Sequence, residues 1–128
     1  MRKWIWRILM LLYLGAVALL CFANLGSTAP QGDIFGIPAD KIAHFSLFLP
    51  FPILAWGCFG ADNGNILRIL PRIALIFIAG ILLGFFTEYI QGYLPGRCRE
   101  MLDFLADYCG ITASCLGITI IKLCVPGD

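Results

Sequence analysis

Residues 70–90 read LPRIALIFIAGILLGFFTEYI, an apolar run whose only charges are Arg72 near its start and Glu88 near its end. A helix needs about 20 mainly apolar residues to cross the hydrocarbon core of a bilayer, and this run is long enough. Its exceptions are phased. Gly80, Gly84 and Glu88 recur every four residues and Gln91 follows three further on, which places them on one helical stripe. A stripe in contact with lipid would read Leu, Ile and Phe. This one is predicted to face another helix, with G-x-x-x-G spacing letting a second backbone come close.

Three more stretches pass the same length test: Trp4 to Phe22, Ala43 to Gly60 and Met101 to Cys124. In a chain of 128 residues that is 60% hydrophobic and 13% charged, with a mean hydropathy of +0.89, little remains for a separate soluble domain. The predicted fold is all-α, a single domain over residues 1–128 forming a four-span transmembrane bundle with short connections. Those connections are a Gly/Pro-rich loop around 25–39, an Asp62-Asn63-Gly64-Asn65 turn, and a Tyr93-Leu94-Pro95-Gly96 turn. The basic start of the first segment and its exit at Gly26-Ser27-Thr28-Ala29 also fit a cleaved leader, but the length of the apolar run favours a span.

The net charge of +1 excludes bulk attraction to nucleic acid and leaves the distribution of charge as the signal. Arg2, Lys3, Arg7, Arg68, Arg72 and Lys122 fall at the two ends and the middle loop, against Lys41, Arg97 and Arg99 in the other two loops. The positive-inside rule then predicts both termini in the cytoplasm, with the first and third loops outside. Of six cysteines, five lie in apolar segments and only Cys98 in a loop, so they read as small buried hydrophobes. Tyr89, Tyr93 and Tyr108 near one boundary, and Trp4, Trp6 and Trp56 near the other, read as aromatic belts.

Connectivity brings distant polar residues to one depth. Asp40, Lys41 and His44 open the second span, Glu88 and Gln91 close the third, and Arg97, Asp103 and Asp107 lead into the fourth. In the fourth span Asp103, Asp107, Gly110, Ser114 and Gly117 form a second stripe of acids followed by small residues, predicted to meet the first. Asp107 lies roughly 9 Å inside its span, too deep for a short side chain to snorkel out. Pro50 and Pro52 predict a kink in the second span that frees the carbonyls of Ser46 and Phe48, a backbone irregularity suited to a wet pocket beside His44.

Two readings of these groups stand. Glu88, His44 or Asp107 could serve as general acid or base, one carboxyl being kept protonated by burial and by its neighbours. Alternatively Lys41 and Arg97 simply neutralise a structural cluster. Ionisable groups inside a span are functional by default, which favours a site. A metal is disfavoured, because His44 is the only histidine and no H-E-x-x-H spacing exists. A triad through Ser46 fails because residues two apart on a helix do not face one another. No cofactor is expected. Arg97, on a tight turn after Pro95-Gly96, suits a planar grip on phosphate or carboxylate, or a pair with Asp103.

Asp40-Lys41-x-x-His44-Phe45, Glu88-x-x-Gln91, Pro95-Gly96-Arg97 and Asp103-x-x-x-Asp107-x-x-Gly110, in that order between hydrophobic spans, resemble the VanZ-like family of small bacterial membrane proteins. The resemblance covers about two thirds of the chain, Pro38 to Gly117. Two positions depart from the pattern: Asp107, where the family often has asparagine, and Arg99-Glu100, where it usually has small apolar residues. The resemblance implies the bacterial cell envelope and inner membrane, since the family is named for a member linked to teicoplanin resistance. It implies no established reaction. The expected partners are membrane lipids or a lipid-linked glycan, recognised at the outer leaflet by Asp40, Lys41, His44, Glu88, Gln91, Arg97, Asp103 and Asp107. In this scheme Lys41 and Arg97 hold an anionic group, while Glu88, Gln91 and Asp103 orient hydroxyls. The rival is a membrane-embedded hydrolase or transferase acting on such a lipid.

Overall fold

The computed structural model describes residues 3–22, 33–59, 65–93 and 101–125. Its helices are α1 (Lys3–Phe22), α2 (Ala39–Phe48), α3 (Pro50–Phe59), α4 (Ile66–Gln91) and α5 (Met101–Cys124). With α2 and α3 taken as one broken span, the described residues contain four helices long and apolar enough to cross a membrane. The fold is an all-α four-helix bundle. Its outer faces carry Leu11, Leu12, Leu67, Leu75, Leu82, Phe85, Ile120 and Ile121, all exposed. Contiguous apolar surface of this kind suits lipid tails rather than water.

Inside, Val17, Phe48, Phe51, Ala55, Trp56, Ile69, Ile76, Ile111 and Cys115 form one core fed by every helix. Helix α5 packs against both α2 and α4, and α1 against α3. The predicted glycine stripe of α4 is the seam with α5. A Cβ at Gly80 would lie 3.0 Å from Ile111, and one at Gly84 would lie 3.4 Å from the Cβ of Asp107. The stripe on α5 is shared differently from the expectation. Gly110 faces α2, where a Cβ would come within 2.5 Å of the Phe45 carbonyl oxygen, whereas Gly117 faces open space.

The kink predicted in the second span is a complete break at Leu49. It places Pro50 and Pro52 in the first turn of α3, where backbone N–H groups have no intrahelical acceptor and a missing donor costs nothing. Two other carbonyls near the end of α2, those of Phe45 and Leu47, are met by protein. Phe45 accepts from the Leu49 N–H at 3.1 Å, and Leu47 accepts from the Tyr13 hydroxyl of α1 at 2.7 Å. The break is thus roofed by α1 and wedged by Gly110.

Other boundaries moved for identifiable reasons. Helix α4 begins at Ile66, because the Asn65 side chain accepts from the Leu67 N–H at 3.0 Å and caps it. Arg68, expected beside the loop, is consequently helical. Ahead of α2, the Gly/Pro-rich loop contains a small hairpin, β1 (Asp33–Ile34) paired antiparallel with β2 (Ile37–Pro38). Phe35 and Gly36 both have positive φ at its tip, the signature of a type I′ turn. For Phe35 that conformation is strained. Among the described cysteines, Cys115 is buried but Cys109 and Cys124 are exposed, so burial does not explain those two.

Candidate functional site

Three helix ends converge: the start of α2, the end of α4 and the start of α5. Lys41 and His44 lie one turn apart on α2 and point to the same side. Glu88 and Gln91 continue the glycine stripe of α4, while Asp103 and Asp107 sit one turn apart on the buried face of α5. Glu88, Gln91, Asp103 and Asp107 are all buried, Asp107 most deeply at 1% exposure.

Contacts cross between elements about 60 residues apart in sequence. The Lys41 ammonium forms an ion pair with Asp103 Oδ1, at the rim of the cluster. His44 Nδ1 lies 2.9 Å from Asp107 Oδ1 and 3.8 Å from Glu88 Oε1, and its Nε2 lies 3.6 Å from Asp103 Oδ2. An ionised carboxylate only accepts hydrogen bonds, so His44 donates from Nδ1 to Asp107. Asp107 therefore sets the ring's tilt. The cluster has a mouth and a floor. Lys41, His44 and Asp103 keep some side-chain exposure, at 13%, 14% and 12%, whereas Glu88 and Asp107 beneath them keep 5% and 1%.

Six of the eight residues singled out in the sequence are thus placed in one locality: Lys41, His44, Glu88, Gln91, Asp103 and Asp107. For Asp40 the helix backbone is described but not the side chain, and Arg97 lies outside the described residues. The expected role of Lys41 changes. Its ammonium is committed to Asp103 and organises that carboxylate, leaving it poorly placed to seize an anion. Ser46 is exposed, in keeping with its exclusion from a triad.

Chemically, the arrangement offers carboxylate acceptors, one amide, and an imidazole whose Nε2 faces the mouth. His44, Glu88 and Asp103 can each present one ligand atom with all three atoms within 4.8 Å of one another. Tyr13, whose hydroxyl holds the carbonyl of Leu47 at the broken backbone, could not be singled out in advance, because a lone tyrosine in an apolar run carries no periodic signal.

A scan against protein-family models finds no match, and searches among curated proteins and among solved structures find none. Fold and site together define a class: a four-helix protein of membrane-spanning length and composition, with a buried ionisable cluster at one end of the bundle.

Proposed function

We propose that this chain is an integral membrane protein of the bacterial cell envelope, VanZ-like in kind, whose cluster binds the hydroxyl-rich head group of an envelope lipid or lipid-linked glycan. One observation carries the reading. Two helices, α4 and α5, expend buried Glu88, Gln91, Asp103 and Asp107 on a single locality that opens at the end of the bundle through Lys41 and His44 of α2. Buried acids weaken a bundle unless something recovers their desolvation, and sugar or glycerol hydroxyls are donors of the required kind. Any anionic part of the ligand falls to Arg97, since Lys41 is paired. The arrangement of basic residues supports cytoplasmic termini and a cluster at the outer leaflet. The motif order from Asp40 to Gly110 supports an envelope setting and an effect on glycopeptide susceptibility.

The His44–Asp107 hydrogen bond of 2.9 Å favours a second reading, a hydrolase or transferase. A histidine oriented by a carboxylate on one nitrogen, with the other turned toward the mouth, is the arrangement that general-base catalysis uses.

Purified protein incubated with an envelope lipid extract separates these. A binder retains lipid stoichiometrically without products, and Glu88→Gln lowers retention about tenfold while the variant remains monodisperse. An enzyme converts the extract with turnover that His44→Ala abolishes. Full activity of both variants in a deletion strain would leave only a structural cluster. In a cysteine-free background, a cysteine introduced at Gly96 should react with a membrane-impermeant thiol reagent from outside; reaction from the cytoplasm alone inverts the topology.

A further inference from the structure

The hairpin ahead of α2 is built unlike a turn that faces water. A two-residue type I′ turn needs positive φ at both central positions, which asparagine, aspartate and glycine adopt most readily. Here the first is Phe35 at φ 52°, followed by Gly36 at φ 81°. From Ile34 to Ala39 the sequence reads IFGIPA, so no polar side chain stands between Asp33 and Asp40. The Phe35 side chain stands clear of the protein at 101% exposure, and Ile37, just after the tip, is 52% exposed. Phe35 therefore accepts backbone strain and gains no burial against its own chain in return. In water that choice of residue has no compensation.

Depth identifies what does compensate it. Helices α2 and α3, of 10 residues each and joined at Leu49, are at most about 30 Å long end to end, the thickness of the hydrocarbon core. Strand β2 runs into α2 at Ala39 with no residue between, so the hairpin starts at the edge of that core. Its strands are two residues long, a reach of about 7 Å at roughly 3.3 Å per residue. The head-group layer is about 5–7 Å deep on each side. Upright or flat, the tip stays in or against that layer. We infer that the hairpin is an interfacial anchor, with Phe35 and Ile37 seated in the lipid leaflet at the cluster end of the bundle. There the phenyl ring leaves water for the boundary between head groups and acyl chains, and its burial offsets the positive φ. Lys41 lies in the first turn of α2, directly after the hairpin, so the anchor fixes the height of the cluster's mouth against the head groups.

The anchor rests on the chain spanning a bilayer and not on what the cluster binds. A 4-fluorophenylalanine placed at position 35 of the full-length chain keeps the native ring and reports its surroundings by fluorine NMR. The protein is reconstituted in vesicles of phosphatidylethanolamine and phosphatidylglycerol. Line broadening by dissolved oxygen, which concentrates among acyl chains, is compared with broadening by a water-soluble nickel chelate present on both sides. Relative to the same amino acid free in water, the ratio at position 35 should favour oxygen at least about threefold. The same label at Phe85, exposed on α4, should favour oxygen as well and serves as the lipid reference. A water-like ratio at position 35, with oxygen still favoured at Phe85, overturns the anchor alone. Protection of position 35 from both agents also overturns it, because protein, from this chain or a second copy, then covers the tip. A water-like ratio at Phe85 sinks the spanning bundle itself, and the anchor with it.

Discussion

The two ends of the bundle keep their charges in opposite ways. At the cluster end, Lys41, Glu88, Asp103 and Asp107 turn inward and meet. At the other, roughly 24 Å away along α4, the Arg72 guanidinium lies 5.6 Å from the centre of the Trp56 ring and 5.5 Å from that of Phe59, while Lys122 approaches the same indole at 5.6 Å. Cations over aromatic faces at a helix end are satisfied by the rings themselves. Acids buried between helices are not. The contrast teaches that a charge near a membrane boundary is informative when it is spent on another charge in the interior, and ordinary when it rests on a ring.

Substitutions can break this contrast. The largest effect belongs to Lys41→Met, which leaves Asp103 without its cation and should destabilise the protein by about 3 kcal/mol, read as a lowered thermal midpoint in detergent. Lys41→Met combined with Asp103→Leu should recover most of that loss; no recovery would mean that the pair is not a unit. Gly110→Ala comes next, at about 2–3 kcal/mol, because the new methyl meets the Phe45 carbonyl, a backbone atom with little room to move. Gly117→Ala, facing open space, is its silent control.

At the aromatic end, Gly57→Ala should cost less, about 1–2 kcal/mol. Its methyl would strike the Trp6 ring, which can swing aside, so a change in tryptophan fluorescence should accompany the loss. The smallest effect is that of Arg72→Gln, about 0.5–1 kcal/mol, with a shift in Trp56 emission. An Arg72 effect as large as that of Lys41 would erase the distinction between the ends.

What could be read in advance depended on periodicity. Gly80, Gly84, Glu88 and Gln91 declare a common face through their spacing, and chain parity alone sends Lys41, His44, Asp103 and Asp107 to the same end. Asp107 was legible as too deep to snorkel and is the most buried acid among the described residues. Partner choice was not legible. Whether Lys41 faces an anion or Asp103 depends on helix rotations of a few tens of degrees, which spacing within one helix does not encode. The same limit hid the divided allegiance of α5, whose Gly110 serves α2 rather than α4. Trp56 misled for a related reason: an aromatic near a boundary suggests a belt, but this one is buried beneath two cations.

The break at Leu49 has a consequence for how the protein is made. Lys41 and His44 leave the ribosome some 60 residues before Asp103 and Asp107, so their segment reaches the membrane without its counter-charges. Because the helix is broken, α2 carries Lys41 and His44 on a piece about 15 Å long, joined to α3 at Leu49, and only the two pieces together complete the span. The joint lets the charged piece settle against the acids of α5 without turning the whole span.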